Sequence, residues 1–181
     1  MPGIFGFRVR RPLDDPERVA QRFARDLCLC HWQRSTVLST ANPDVKLGVA
    51  WNDLSPIARG ASWFSDRHVS CVLDGYLLRT REDCGAAVAL AASEHAAVAV
   101  AAYHRFGPTF PSRLEGPFSL VLHDSRDDHL YGVTARDGLA PLYWHDGSDA
   151  VCFSSVLGPM ARGDLFKTGI DPGVIATMLA Y

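Results

Sequence analysis

The pattern of apolar and polar residues divides the first half of the chain into short strands around one clear helix. Gly3 to Arg10 begins as a nearly continuous apolar run and then alternates with arginine, which predicts a strand buried on both faces at one end. Asp15-Pro16 predicts a helix start, and apolar residues then recur every four positions until the helix ends near Cys28. Further strands are predicted over His31 to Ser39, Val45 to Trp51 and Val69 to Leu73. The last of these runs into Asp74-Gly75, which we interpret as a turn.

The second half begins helical and then changes to strands. Helix is predicted over Ala86 to Ala92 and Glu94 to Phe106, and it ends at Gly107-Pro108. The strands that follow are Gly116 to Asp124, His129 to Arg136, Leu142 to Trp144 and Ala150 to Ser154. Val156 to Ala161 and the tail from Asp171 to Tyr181 return to a helical pattern. Because hairpins dominate and the helices are grouped, we expect an α+β fold of two packed antiparallel sheets faced by helices.

Composition places the chain among ordinary globular proteins. Of its 181 residues, 48% are hydrophobic and 21% are charged, and the formal net charge is −2. Lysine and arginine form no basic stripe, so we expect no nucleic-acid partner. The five cysteines are scattered and lack the spacing of a zinc or redox motif, so we interpret them as small buried apolar residues and expect no metal site.

No membrane segment or targeting signal is apparent. The longest apolar run, Ala86 to Tyr103, is interrupted by Glu94 and His95 and is rich in alanine, which favours a water-soluble helix pair over a membrane span. Arginines interrupt the apolar N-terminal stretch, so it does not resemble a signal peptide. We expect a cytoplasmic protein without a membrane partner.

Four blocks in the chain resemble one family. They are Met1 to Gly6 (MPGIFG), Arg113 to Asp124 (RLEGPFSLVLHD), Leu130 to Trp144 (LYGVTARDGLAPLYW) and Phe153 to Leu157 (FSSVL). In order and spacing they are similar to the N-terminal glutaminase domain of the asparagine synthetase family, a class II glutamine amidotransferase. The resemblance implies a four-layer αββα Ntn-hydrolase sandwich of two mainly antiparallel sheets.

The resemblance also implies a site, and this chain departs from it at each position. In the family, removal of the first methionine exposes a cysteine that attacks the amide of glutamine, with its own α-amino group as the base. Here Pro2 stands in the cysteine's place. Asp74 precedes Gly75 where the family has the asparagine of its oxyanion-binding Asn-Gly turn, and an ionised carboxylate donates no hydrogen bond. No arginine occurs at 47–51, where the substrate carboxylate would be held.

The remaining substrate residue, an aspartate in the family, corresponds to His95, or to Glu94 if the register slips by one. We therefore expect a vestigial glutamine site without a catalytic residue, formed by Pro2, Asp74, Gly75 and His95. A purely structural interpretation exists for each: a proline at a strand start, a turn and a satisfied histidine. Bulky side chains could fill the old pocket, and we name Phe5, Phe7, Trp51, Leu73 and Tyr76 for this role.

Related enzymes suggest what such a domain does. Within this group the chain resembles β-lactam synthetases and lasso-peptide macrolactam cyclases, in which a C-terminal ATP-pyrophosphatase domain uses ATP and Mg²⁺ to form an amide. We expect a degenerate glutaminase-like domain at 1–165 that needs no cofactor of its own. Residues 166–181 would then begin a linker or helix towards a synthetase domain, supplied in cis or in trans. A precursor peptide is a further candidate partner.

Two alternatives to this scaffold role remain open. The first is a stand-alone binding module whose pocket takes a small molecule or a peptide, which a gene that ends at Tyr181 would favour. No Ser-Gly-Gly-x-Asp-Ser motif of the synthetase domain occurs in these 181 residues. The second is an amidohydrolase that uses the secondary amine of Pro2. A reading frame that continues beyond Tyr181 into that motif would favour the scaffold role.

Overall fold

The computed structural model describes residues 3–53, 61–80 and 94–162, together with the single residues 165, 169, 172, 173 and 176. Within these ranges the helices are α1 (Pro16–Leu27), α2 (His95–Phe106) and α3 (Leu157–Arg162), and a 3₁₀ segment spans Gly107–Arg113. The strands are β1 (Gly3–Val9), β2 (Gln33–Ser39), β3 (Val45–Asn52), β4 (Ala61–Ser65), β5 (Val69–Gly75), β6 (Arg79–Thr80), β7 (Leu114–Glu115), β8 (Phe118–Asp124), β9 (His129–Thr134), β10 (Tyr143–Asp146) and β11 (Ala150–Ser154).

Two antiparallel sheets form the body of the protein. Sheet A has five strands in the order β10-β11-β1-β3-β2, and sheet B has four in the order β4-β5-β8-β9. The short strands β6 and β7 pair separately with each other. Strand β1 lies at the centre of sheet A, where Phe5 is opposite both Gly48 of β3 and Ser154 of β11. The start of the chain is therefore built into the middle of a sheet.

The layers follow the order helix, sheet, sheet, helix. Helix α1 packs on sheet A, helix α2 packs on sheet B, and the two sheets face each other through β1, β3, β5 and β8. Three apolar clusters fill the spaces between successive layers. This arrangement confirms the predicted α+β sandwich of two mainly antiparallel sheets, with the αββα layering that the resemblance implies.

Helix α1 follows from local sequence rules. The carboxylate of Asp15 accepts a hydrogen bond from the backbone N–H of Arg18 at 2.8 Å, and Pro16 occupies the first turn, where its missing N–H leaves no helical hydrogen bond unmade. The inward face carries Phe23, whose ring lies 5.3 Å from that of Phe5 and 5.8 Å from that of Phe7. These three buried rings hold α1 against sheet A.

The facing sheets approach closely because a glycine lies at the contact. A Cβ added to Gly6 would lie 2.6 Å from a methyl carbon of Val121, so a side chain at this position would force the sheets apart. Nearby, Trp51 of sheet A and Trp63 of sheet B lie with their ring centroids 5.1 Å apart. The space between the sheets is thus closed by apolar contact along its middle.

The structure corrects several predicted boundaries. Asp74 and Gly75 are not a turn, because β5 continues through both of them and pairs Gly75 with Phe118. Strand β4 was not predicted, and the strand predicted from Gly116 begins at Phe118 after a break. That break has a cause in the backbone, since Gly116 has φ 137° and a Cβ there would lie 2.4 Å from the carbonyl oxygen of Tyr76.

Other predictions lie largely or wholly outside the described residues. Pro2, the helix predicted over Ala86 to Ala92 and most of 166–181 belong to this group, as does Cys84. Of the described cysteines, Cys71 and Cys152 are buried, as predicted, and Cys28 and Cys30 are half-buried. No helix in the described ranges has both the length and the apolar character needed to span a membrane.

Candidate functional site

Of the predicted glutamine site, Asp74, Gly75 and His95 lie within the described residues, and they lie at or near the end of β5. Asp74 lies opposite Ala61 of β4 on one side and opposite Ser119 of β8 on the other. Side chains alternate between the faces of a strand, and Val72, two positions before Asp74, packs in the cluster between the sheets. Asp74 and Ser119 therefore point from sheet B towards sheet A.

Ser155 connects Asp74 to the start of β1. The backbone N–H of Ile4 donates to Ser155 Oγ at 2.9 Å, and the backbone N–H of Ser155 donates to the carbonyl oxygen of Ile4 at 3.0 Å. The hydroxyl of Ser155 in turn donates to the carboxylate of Asp74. A hydrogen-bonded path thus runs from the start of β1 in sheet A to the end of β5 in sheet B.

The carboxyl group of Asp74 is harder to ionise than an exposed aspartate. Partial burial raises its pKa to about 6, because the charged form loses solvation. The hydrogen bond from the Ser155 hydroxyl, the positive charge of the N-terminal amine and the nearby Gly75 N–H favour the charged form but offset only part of this effect. The group is therefore mostly ionised at neutral pH and carries its proton below about pH 6.

Gly75 is required by the backbone. Its φ is 98°, and a Cβ there would lie 2.2 Å from the carbonyl oxygen of Pro117, so any other residue would displace β8. The next residue, Tyr76, donates its N–H to the same carbonyl at 3.0 Å. The Gly75 N–H lies near the carboxylate of Asp74 and helps to favour its charged form.

His95 begins helix α2 and is buried, with 7% of its surface exposed. Its Nδ1 accepts a hydrogen bond from the backbone N–H of Leu77 at 3.2 Å, which places the proton of the neutral ring on Nε2. Burial lowers the pKa of the ring, and the charge of Glu94 opposes this only in part. As a neutral donor, His95 cannot replace the carboxylate that would hold the amine of glutamine.

The substrate arginine has no replacement at 47–51, where the described side chains of β3 pack in the core or lie half-buried. Arg34 of β2 lies opposite Trp51, but its Nε donates to the carboxylate of Asp53 at 3.2 Å on an exposed surface. An exposed, already paired arginine is a poor anchor for a substrate carboxylate.

The aromatic closure predicted for the pocket is wrong. Phe5 and Phe7 pack beneath α1, and Leu73 packs beneath α2, so they belong to two different layers. Trp51 lies between the sheets against Trp63, and Tyr76 is 51% exposed. These five side chains do not converge on one cavity.

The sequence did not indicate two residues of the site, Ser155 and Ser119. Ser155 lies in a block that resembles the family, but only the pairing of β1 with β11 brings it beside Asp74. Ser119 is fully buried, and its hydroxyl has no hydrogen-bond partner. Nothing in the sequence distinguishes this serine, because its position depends on the register between β5 and β8. Among the described residues no group of three or more His, Cys, Asp or Glu side chains is arranged to hold a metal ion.

Comparison with known protein families fits the sequence and the fold. A family model described as a glutamine amidotransferase domain matches residues 79–181, which is more than half of the chain. The chain belongs to the glutamine amidotransferase domain family. The match supports the class II domain that the four sequence blocks resemble, and it includes His95, Ser119 and Ser155 but not Asp74 or Gly75. A search of curated proteins found no match.

Proposed function

We propose that this chain is a glutamine amidotransferase domain that no longer hydrolyses glutamine and serves as the scaffold half of an ATP-dependent amide-forming enzyme. The parent enzyme would resemble the asparagine synthetase family, in the manner of lactam or lasso-peptide macrolactam cyclases. Its synthetase domain, in cis or in trans, would bind ATP and Mg²⁺. A precursor peptide is the candidate substrate of the assembled enzyme.

The carboxylate of Asp74 is the observation that carries this proposal. Attack on an amide develops negative charge on its oxygen, and the family stabilises that charge with donors at this turn. Here a carboxylate faces the site and accepts a hydrogen bond from the Ser155 hydroxyl. Above about pH 6 its own negative charge would repel an oxyanion. The site therefore lacks the electrostatic part of the reaction, besides lacking a cysteine at Pro2.

A surface suited to a partner domain lies at the edge of sheet A. Strand β10 is an edge strand whose four residues are all exposed. Trp144 is 65% exposed, Tyr143 is 42% exposed, and Leu139 in the preceding loop is 74% exposed. Large apolar side chains held in water at a sheet edge favour a binding surface, which supports the idea of a synthetase partner.

The loss of glutaminase activity is tested by ammonia release from glutamine. We expect the purified protein to release no more ammonia than a blank, and the Pro2→Cys/Asp74→Asn double variant to stay inactive because the substrate arginine is also missing. An activity of the unaltered protein that disappears on substitution of Pro2 or Asp74 would overturn the proposal. If that activity also disappears when the N-terminal amine is acetylated, the Pro2 amine is the reacting group.

The scaffold role is tested by association with the synthetase domain encoded with this chain. We expect Trp144→Ala and Tyr143→Ser to weaken the complex at least tenfold, because they remove exposed aromatic surface. Arg34→Ala, which changes an exposed residue on the opposite edge strand, is the matched control and should leave the affinity unchanged. Equal effects of all three variants would argue against β10 as the docking edge.

One observation favours the second candidate, a binding module with a repurposed pocket. The buried hydroxyl of Ser119 has no hydrogen-bond partner, and Ser119 lies opposite the half-buried Asp74. A buried polar atom left without a partner costs about 1–3 kcal/mol, so such an atom points to an occupant. The two candidates are compatible, since a scaffold domain can also hold a ligand.

A further inference from the structure

A groove between α1 and α3 is lined largely by arginine. It has a volume of about 520 Å³ and is lined by seven residues of α1 and by the last residue of α3. One of these eight residues, Asp26, is acidic, and four are arginines: Arg18, Arg22, Arg25 and Arg162. Four positive groups against one negative group give the lining a formal charge of +3, although the whole chain has a net charge of −2.

The arginines of α1 lie on one face of the helix. Arg18, Arg22 and Arg25 are spaced by four and then three residues, which places their side chains next to one another. Like charges at these spacings repel, and a cation in the first turn, where Arg18 lies, also opposes the helix dipole. The dipole favours Arg25 and Arg162, which lie in the last turns of α1 and α3. Helix stability therefore does not explain Arg18.

Three of the four arginines are not paired with a described acidic side chain. Arg18, Arg25 and Arg162 are exposed, and none of them takes part in an ion pair between described residues. Glu17, the acidic residue in the first turn of α1, pairs with Lys46 at 3.1 Å instead. These three guanidinium groups keep their N–H donors available to an anion.

Arg22 connects the two walls of the groove. Its Nη2 donates a hydrogen bond to the carbonyl oxygen of Arg162 at 2.8 Å, which joins α1 to the C-terminal end of α3. Phe23, which also lines the groove, is buried against the rings of Phe5 and Phe7. The backbone that carries the arginines is therefore fixed before a ligand binds, which lowers the entropic cost of binding.

We propose that this groove binds an oligophosphate anion, which is a chain of two or more linked phosphate groups, either free or as part of a nucleotide. A guanidinium group binds phosphate oxygens through two parallel N–H···O hydrogen bonds. Arg18 and Arg25 are seven residues apart, which corresponds to about 10.5 Å along the helix. A chain of phosphate groups therefore contacts more of these arginines at once than a single phosphate does.

The groove is separate from the predicted glutamine site. It lies in the helix layer on sheet A, whereas Asp74 points from sheet B into the space between the sheets. Oligophosphate binding therefore depends neither on the loss of glutaminase activity nor on a synthetase partner. A chain that binds oligophosphate but no synthetase domain would contradict the scaffold role alone, and the reverse result would contradict the oligophosphate site alone.

The site is tested by calorimetric titration of the purified full chain with sodium tripolyphosphate, in magnesium-free buffer at pH 7.5 and constant ionic strength. We expect one site with a dissociation constant of roughly 10–100 μM. Orthophosphate, which carries a single phosphate group, should bind at least tenfold more weakly. ATP separates the two sources of the ligand. Tighter binding of ATP than of tripolyphosphate assigns the site to a nucleotide, and equal or weaker binding assigns it to free oligophosphate.

Variants of matched charge separate the groove from the charge of the whole chain. Arg18→Gln/Arg25→Gln should weaken tripolyphosphate binding at least tenfold. Arg34→Gln/Arg67→Gln removes the same charge from residues that do not line the groove, and it should change the dissociation constant less than twofold. All four side chains are exposed, so both double variants should fold, which circular dichroism checks.

Four results would overturn the site. They are an equal loss in both double variants, orthophosphate binding as tight as that of tripolyphosphate, no saturation below about 5 mM, and equally tight binding of a hexaglutamate peptide. The last result would show that the groove selects negative charge in general, such as an acidic peptide, and not phosphate.

Discussion

The two ends of the space between the sheets contain similar residues with opposite electrostatics. At one end, which we call the Asp74 end, β1 begins and β5 finishes; at the other, the Asp128 end, β1 finishes and the β8–β9 turn projects. Each end has an aspartate facing groups of the other sheet and a residue with positive φ, Gly75 at 98° and Asp128 at 55°. The difference lies in the partners of the two carboxylates.

Asp128 is fully compensated. Its carboxylate accepts a hydrogen bond from the Asn42 side chain at 2.7 Å, lies 3.2 Å from His123 Nε2, and pairs with the guanidinium of Arg8. Partial burial alone would raise its pKa, but these groups together lower the pKa of Asp128 below its usual value. Arg8 of β1 and Asn42 of the β2–β3 turn thus bind the β8–β9 turn and join the sheets at this end.

The Ser155 hydroxyl and the positive charge of the N-terminal amine favour the charged form of Asp74, but they do not offset its burial, and its pKa is raised. One end of the fold is therefore stabilised by its charged groups, whereas the other keeps an unfavourable charge. An unfavourable charge of this kind persists where a present or an earlier function has selected the residues.

We expect the largest loss of stability from a change in the backbone at the Asp74 end. Gly75→Ala would bring a Cβ to 2.2 Å from the Pro117 oxygen at positive φ, and we expect a loss of about 3–5 kcal/mol in the free energy of unfolding. Gly138→Ala is the matched control, because φ is also positive there but nothing lies within 4 Å of the added Cβ. It should lose only about 1 kcal/mol in the same urea titration. Equal losses would show that the close contact is unimportant.

Asp74→Asn should stabilise the protein, in a pH-dependent way. The pKa of Asp74 is raised from 3.8 to about 6 in the folded state, so its contribution is fully present below pH 3.8 and is lost as pH rises through 6. At pH 8 the charged group is therefore unfavourable by up to about 3 kcal/mol, which asparagine should recover. Urea unfolding at pH 4 and pH 8 measures this, and a gain of the same size at both pH values would contradict the raised pKa.

At the other end, Asp128→Ala should lower the free energy of unfolding, whereas Asp74→Asn should raise it. It removes the hydrogen bond from Asn42 and the ion pair with Arg8, and we expect a loss of about 2 kcal/mol at pH 7 after allowing for its partial exposure. Asp128→Asn keeps a hydrogen-bonding side chain that tolerates positive φ, and it should lose less than half as much. If the two variants lose the same amount, the charge and not the hydrogen bonds stabilises this end.

We expect the smallest effect at Ser155, which contacts the start of β1. Ser155→Ala leaves the buried N–H of Ile4 without its acceptor, and we expect a loss of about 1 kcal/mol. It also removes a donor that favours the charged form, so the pKa of Asp74 should rise further above 6. A titration followed by the ¹³C resonance of the Asp74 carboxyl measures this directly. An unchanged or lower pKa would exclude Ser155 as the donor.

Sequence patterns predict the elements that local rules determine. They do not predict features that depend on how the strands pair. The helix start at Asp15-Pro16 and the strand at Gly3 were predicted correctly, because capping and apolar periodicity act over a few residues. The sequence predicts a turn at Asp74-Gly75, since this dipeptide is common in turns, but pairing with β8 keeps both residues in a strand. Tertiary contact outweighed the local preference.

The candidate site was predictable only as far as family resemblance extends. Asp74, Gly75 and His95 were identified by comparison with a motif, and the structure brings all three to the region where β5 ends. Ser119 and Ser155 could not be found, because the contacts that matter join residues 45 and 81 positions away from Asp74 through two different sheets. The charge of a site depends on such partners, which a linear motif does not contain.

The pair Trp51 and Trp63 gives the protein an internal optical reporter. One indole belongs to each sheet, and their centroids are 5.1 Å apart, so their electronic transitions should couple and produce a paired signal of opposite signs in circular dichroism. That signal would disappear when the sheets separate, even while each sheet keeps its own strands. Spectroscopy could thus follow the opening of the sandwich independently of strand melting, without an added label.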